Sequence, residues 1–287
     1  MRLMRVGPVG AEIPVLCGPD GCLYDLRGLV KDIDGNELAD GGLSRIAAAH
    51  STGKLPVLDG THRRIGSPVK PGGSIICVGM NYAAHAAEAG AEPPDSPVLF
   101  LKPPNTLCGP NDRGIIPRNS RKTDWEVELA VIIGKRALYL NNPNEAIEHI
   151  AGFAAANDLS EREFQIEISG GQWSKGKSAP GFTPLGPMLV SPDEVNYRNL
   201  RLRSWVNGES RQDSSTADMI FDVEYLVWNI SQYMALDPGD VILTGTPQGV
   251  ALSGKFPYIS AGDQVRVEIE GLGSQTQEFV NYNEPNG

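Results

Sequence analysis

The chain reads as a strand-dominated α+β protein, a twisted mixed β-roll or sandwich with a small β-rich module in front. Three observations predict this class. The 287 residues include 33 Gly and 22 Pro, which punctuate the chain with turns and favour short elements. Short apolar or alternating runs, the mark of strands, outnumber stretches with helical spacing. Few helices read clearly among these many strands, a pattern unlike that of a doubly wound sheet. With 40% hydrophobic and 21% charged residues the composition is that of a globular protein. The length suffices for one large domain with a small appendage.

Within residues 1–70, Ile13 to Cys17 and Cys22 to Leu26 flank Gly18-Pro19-Asp20-Gly21, a hairpin signal. Leu43 to Ala49 predicts a short helix. A turn-rich stretch follows, and Gly66, Pro68, Pro71, Gly72 and Gly73 place the best boundary there, between a leading module (1–70) and a larger domain (71–287). Ser74 to Gly79 is then a short buried strand, and Glu126 to Gly134 a longer one. Leu200 to Val206 and Asp240 to Thr244 follow, and Gln264 to Glu270 alternates cleanly. Pro143 to Ile150 predicts a helix with Asn142 as cap and proline in its first turn. Asp222 to Met234 predicts another, with Val223, Leu226, Val227 and Ile230 on one face.

A formal net charge of -10 sets this surface against phosphate backbones, so no nucleic-acid partner is expected. An anionic substrate remains compatible, because a bound cation reverses the local sign. Cys17, Cys22, Cys77 and Cys108 form neither a CxxC pair nor a zinc-spaced cluster, and four reduced thiols are expected. The N-terminal stretch lacks the apolar run of a signal peptide, and no window approaches the ~18 apolar residues of a membrane span. A cytoplasmic protein without membrane contact is expected.

Gly171-Gln-Trp-Ser-Lys-Gly176-Lys177-Ser178 spells the phosphate-binding pattern G-x-x-x-x-G-K-[ST]. That loop works by leading from a strand into a helix whose N–H groups cradle phosphates. Here Ala179 to Pro187 brings three prolines and two glycines, which cannot make that helix. Nucleotide binding is therefore only a remote alternative.

Three segments could carry chemistry. In Asp124-Trp-Glu126-Val-Glu128, period-two alternation puts Glu126 and Glu128 on one face and Val127 on the other. Two carboxylates so placed repel unless one is protonated or a cation lies between them, and a hard divalent ion suits oxygen ligands. The plainer alternative is a solvated edge strand, against which stands the apolar run that follows. Asp158, just past the small-residue run from Ile150 to Ala156, could supply a third oxygen or merely cap a helix. In Asn81-Tyr82-Ala-Ala-His85-Ala-Ala-Glu88, His85 and Glu88 are i,i+3 neighbours if helical. A carboxylate bonded to one imidazole nitrogen makes the other a better base, although a surface polar pair would look the same.

In their order, these segments resemble the fumarylacetoacetate hydrolase family: VGMNYAAHAAE (78–88), FLKP (100–103), DWEVELAVIIGK (124–135), NDLSEREFQ (157–165), QWSKGKS (172–178) with PLGP (184–187), and TGTPQGV (244–250). The likeness spans roughly 74–285, and residues 1–70 look like the leading module of bacterial members. It implies that Glu126, Glu128 and Asp158 bind Mg²⁺ or Mn²⁺, with Ca²⁺ able to substitute structurally. It implies a His85–Glu88 dyad that activates water, Lys177 beside the metal, and a substrate pocket lined by Arg162, Gln165 and Thr246, with Tyr82 and Lys102. The helix bearing His85 and Glu88 would close as a lid.

The reaction so implied is hydrolysis of a carbon–carbon bond in a 2,4-diketo acid, an acylpyruvate or a 2,4-diketo-3-deoxy sugar acid, with release of pyruvate. His85 would deprotonate the attacking water, Lys177 would stabilise the oxyanion, and the metal would act as a Lewis acid. The same site chemistry would serve an oxaloacetate-type decarboxylase or a keto–enol isomerase, so the fold does not settle the reaction. One departure stands out: relatives commonly carry an aromatic–Asp–Thr run after GKS, where this chain has Ala179-Pro180-Gly181-Phe182-Thr183. Relatives are usually homodimers, and a small anionic keto acid is the expected partner.

Overall fold

The computed structural model describes residues 1–58, 63–88 and 90–283. Strands β1 to β5 occupy Arg2–Val6, Ile13–Cys17, Leu23–Asp25, Ile75–Gly79 and Val98–Lys102. β6 to β9 are Gly114–Ile116, Val127–Ile133, Ile150–Asn157 and Leu189–Val190. β10 to β14 are Arg201–Val206, Glu209–Ser215, Val241–Leu243, Gln264–Ile269 and Gly273–Asn281. A nine-stranded sheet runs β3-β2-β1-β9-β8-β7-β12-β4-β5, and a five-stranded sheet runs β11-β10-β13-β14-β6. Both are antiparallel except where β12 lies parallel to β4 and β14 parallel to β6. The strand-dominated α+β class expected from the sequence is the one found.

The central strand β7 shows how the layers form. Val127, Leu129, Val131 and Ile133 point to one face, where they share a core with Leu202, Val265, Val267 and Phe279 of the second sheet. Ala130 and Ile132 point to the other face and pack with Leu3, Ile75, Leu38 and Ile46. Strict period-two alternation thus lets one strand feed two cores. Its neighbour β8 is buried at every position. The small apolar run Ile150 to Ala156 is a central strand covered on both faces, which is why it lacks a polar alternation to betray it.

The leading segment is part of this sheet. β1 pairs with β9, Leu3 opposite Leu189, so the sheet runs through the composition boundary near residue 70. Two helices, α1 (Gly35–Ala39) and α2 (Gly42–Ser51), cover it there. α1 was not signalled by periodicity; Asp34 caps it, accepting the Glu37 N–H at 3.0 Å. The helix expected over Pro143 to Ile150 is instead a 3₁₀ helix, Pro143–His149, although Asn142 caps it as anticipated. It leads directly into β8 at Ile150, the kind of short connector in which 3₁₀ turns are common. Further on come α3 (Ala83–Glu88), α4 (Trp173–Lys177) and α5 (Val223–Ser231), the last capped by Asp222.

All four cysteines are free. Among the described residues no helix is long and apolar enough to cross a membrane. The phosphate-loop pattern does not form such a loop: its residues 173–177 are themselves α4, and the chain leaves Ser178 through residues 179–191 without a helix.

Candidate active site

Glu126, immediately before β7, and Glu128 within it project to the same side of the sheet, and Asp158 leaves the end of β8 beside them. The three carboxylates each offer an oxygen within 4.8 Å of the others, and all are buried. Three buried anions this close need compensation. Lys177, at the end of α4, reaches Glu126 Oε2 and Asp158 Oδ2, both at 2.6 Å. Lys102 donates to Asp158 Oδ1 at 2.5 Å, and Arg162 to Glu126 Oε1 at 2.6 Å. Burial pushes Glu126 up, but Lys177 and Arg162 outweigh it and hold the carboxyl well below its usual range.

Glu128 is the exception. Its hydrogen bond comes from the Gly245 N–H at 2.8 Å, and no cationic side chain pairs with it among the described residues. Burial, then Asp158 and Glu126, drive its carboxyl well above the ordinary value. The residues fit a hard divalent cation: an all-oxygen donor set, converging, with one carboxyl, Glu128, that the surrounding lysines and arginine leave unpaired and that a cation would hold ionised.

A cavity of about 280 Å³ opens on the carboxylates, and His85 lies on its wall. The imidazole is 8% exposed, and its Nδ1 lacks a hydrogen-bond partner among the described residues. Burial lowers its pKa by more than the Glu126 charge restores, so the ring is neutral at neutral pH and able to accept a proton.

Three elements hold this wall. Asn81, fully buried, donates to the Phe221 and Thr244 carbonyls at 3.0 and 2.8 Å and accepts the Phe221 N–H at 2.8 Å. It thereby fixes the turn from β4 into α3. Gly245 sits against it at φ 100, where a Cβ would lie 2.8 Å from that of Asn81. Asp124 accepts from the Arg162 Nε at 2.8 Å and from the Ala251 and Leu252 amides at 2.9 and 3.0 Å, tying the 251–252 turn to the carboxylate side. Sequence reasoning assigned roles to neither Asn81 nor Asp124, although both stand inside segments it had singled out.

The expected residues divide. His85, Glu88, Arg162, Gln165, Lys177 and Thr246 all line the cavity together with the carboxylates. Glu88, however, does not bond the imidazole. Its Oε2 accepts the Gly249 N–H at 2.8 Å and its Oε1 the Lys255 ammonium at 3.0 Å. Glu88 ends a six-residue helix and faces the 249–255 loop, whose donors satisfy it first. Arg162 is likewise spent on protein, on Asp124, Glu126 and the Gln165 Oε1 at 2.9 Å. The Thr246 hydroxyl donates to the Val127 carbonyl at 2.9 Å.

Two expected contacts lie behind the wall. Lys102 Nζ is enclosed by Asp158 and the Phe182 carbonyl at 2.7 Å, and it supports the Asp158 carboxylate instead of facing the cavity. Tyr82 is 1% exposed within the core and does not line it. The unusual 179–183 segment also stays behind: Phe182 is fully buried and Thr183 bonds Thr106 at 2.9 Å. Asp158 caps no helix, since Ser160–Glu161 is a short strand. Phe100, Met80, Ile166, Trp173 and Leu252 also line the cavity, a set that no spacing rule marks.

A buried carboxylate trio beside an imidazole whose Nδ1 has no partner among the described residues has the make-up of a metal-dependent enzyme's site. The profile of the fumarylacetoacetate (FAA) hydrolase C-terminal domain matches residues 74–280. The chain belongs to the fumarylacetoacetate hydrolase family. A Burkholderia multivorans protein, whose name goes no further than a provisional "hydrolase", is 46% identical over 280 residues, 96% of this chain and 98% of its own. The crystal structure of a 5-carboxymethyl-2-hydroxymuconate delta-isomerase from Mycobacterium smegmatis superposes with a TM-score of 0.76 at 32% identity, covering 99% of this chain and 100% of that one. A maleylpyruvate hydrolase from Sphingobium sp. SYK-6, solved with manganese(II) and pyruvate, superposes at 0.80 with 27% identity, covering 99% and 100%.

Proposed function

We propose that this protein is a Mg²⁺- or Mn²⁺-dependent hydrolase that cleaves the C3–C4 bond of 2,4-diketo acids (acylpyruvates or 2,4-diketo-3-deoxy sugar acids) and releases pyruvate. The observation that carries the reading is the meeting, in one cavity, of the carboxylate trio, Lys177 and a neutral imidazole with a free nitrogen. The manganese and pyruvate held by the Sphingobium relative support the same chemistry.

Glu126, Glu128 and Asp158 would hold the ion. When bound, it supplies Lewis-acid polarisation of the substrate's carboxylate and 2-oxo oxygens. His85 takes a proton from water as the water oxygen bonds to the 4-oxo carbon. Lys177 has three N–H donors and spends two on Glu126 and Asp158, which leaves one for the oxyanion that develops at C4. The C3–C4 bond then breaks, its electron pair passes to C3, and the imidazolium returns its proton there. The products are pyruvate and the acyl group's carboxylic acid. Gln165, oriented by Arg162, has its amide N–H groups left to position the substrate. The Glu88 bonds to Gly249 and Lys255 hold α3 over the cavity as a closed lid would be held. The protein acts in the cytoplasm as a homodimer.

A second reading is isomerisation of an unsaturated 2-oxo acid, favoured by the Mycobacterium smegmatis isomerase; decarboxylation of oxaloacetate is the related case. Metal-stripped protein offered acylpyruvates, diketo sugar acids and oxaloacetate, with and without Mg²⁺ or Mn²⁺, separates them. Metal-dependent pyruvate in equal amount with a second carboxylic acid is expected. Carbon dioxide release, or isomerisation without cleavage, would overturn the hydrolase.

A further inference from the structure

The site's inner end is built for a charged head, but its outer wall is carbon. Met80, Phe100, Ile166, Trp173 and Leu252 surround the space beyond the carboxylates. Ile166 is 44% exposed there, a large aliphatic side chain left wet beside a catalytic cavity. Trp173 meets Phe100 edge-to-face with ring centroids 5.6 Å apart, and Phe100 in turn lies 5.2 Å beneath the Lys177 ammonium. The Trp173 ring is laid directly on the backbone of Gly79, where a Cβ would come within 2.2 Å of it. Met80 turns into the wall from φ 54, a conformation that costs a non-glycine residue energy. The aromatic pair is therefore a fixed surface rather than loose side chains. It also lines a second, open cavity of about 580 Å³ along Val98 to Leu101, so the carbon surface continues outward from the site.

Charge excludes the alternatives. The lysine and arginine lining the inner cavity, Lys177 and Arg162, are both committed to carboxylates, and Lys255 near its rim is paired with Glu88. A second carboxylate at the far end of a substrate would meet Glu88 and, among the residues lining the cavity, no uncommitted cation. A polyhydroxylated tail would give up its water against carbon without replacement.

Building on the hydrolase reading, we infer that the substrate is a monocarboxylic 2,4-diketo acid whose acyl group is apolar, an alkyl or aryl chain running past Phe100 and Trp173. Dicarboxylic and sugar-derived diketo acids are disfavoured.

The test uses the manganese-loaded wild-type protein. Saturated 2-oxo acids lack the 4-oxo group and cannot be cleaved, so calorimetry can measure their dissociation constants as the tail lengthens. Each early methylene should tighten binding about fourfold, as expected for a buried methylene, with a negative heat-capacity change. A terminal carboxylate or polyhydroxylated tail of equal length should bind at least about tenfold more weakly, consistent with an unpaired buried charge. Equal or tighter binding of those tails would overturn the inference. Trp173→Ala and Trp173→Phe are then compared by the ratio of long-tail to short-tail affinity. That ratio should collapse in the alanine variant and survive in the phenylalanine variant; an unchanged ratio in Trp173→Ala would refute the aromatic wall. In parallel, kcat/KM is measured over matched acylpyruvates. A tail preference in binding with no acylpyruvate cleaved would overturn the hydrolase but not the wall. Cleavage with the dicarboxylic substrate best would do the reverse, and failure of every 2-oxo acid to bind would overturn both.

Discussion

In the proposed reaction His85 carries the proton chemistry, and its surroundings set a sign. The base must be neutral, and burial holds its pKa below the ordinary 6.5. Activity should therefore be full at neutral pH and fall as pH drops through that depressed value. A kcat/KM profile whose acid limb lies above 6.5 would contradict the assignment. His85→Gln should lower kcat by about 10²–10⁴, measured at saturating Mn²⁺ with a circular-dichroism check of folding. Lys102 makes a different prediction, since it faces Asp158 and no substrate. Lys102→Met leaves a buried carboxylate half-paired, which should cost about 3–5 kcal/mol in urea unfolding of metal-free protein, with added metal restoring part of the loss. Sequence reading reached Glu126 and Glu128 because alternation alone puts them on one face. It placed Lys102 and Tyr82 on the wrong side of the wall because a motif fixes where a side chain starts, not which way a long one turns. The Glu88 partner was misread for a related reason: i,i+3 spacing counts neighbours on the helix and is blind to the Gly249 amide brought from 161 residues away.

At the scale of elements, α3 is too short to be stable by itself and is held through Asn81. Asn81→Ala removes two donors and one acceptor from a fully buried clamp and leaves the Phe221 amide and two carbonyls unanswered. A loss of about 1–3 kcal/mol per unsatisfied group is expected, with kcat falling because the His85 wall shifts. Urea melts and steady-state kinetics check both; unchanged kinetics would show that the clamp does not position His85. β13, which alternates, and β7, whose Glu126-x-Glu128 opening marks the apolar run behind it as strand, could be read from sequence to within a residue or two. β8 is likewise buried on both faces, and its run of small residues carries neither mark. The Pro143 segment misled because a proline at the start and an asparagine cap signal any helix, and neither distinguishes a 3₁₀ helix from an α-helix.

Across the molecule, the leading 70 residues and the catalytic strands share one sheet and one core. Leu3 and Leu16 pack with Ile75, Ala130, Ala154 and Leu189 on the face opposite the second sheet. A fragment 71–287 would expose β9 as an edge and leave that face bare, so it should be insoluble or unfolded. A folded fragment that retains activity would show that the leading segment is an accessory module after all. Hydrolysis requires water to supply an oxygen to the released acid, and heavy-oxygen water makes that oxygen visible. Turnover of an apolar acylpyruvate in labelled water with Mn²⁺ should place one heavy oxygen in the carboxylate of the released acyl acid, seen by mass spectrometry. Conversion of a 2-oxo acid substrate by this metal-loaded protein without any labelled acyl acid would contradict it.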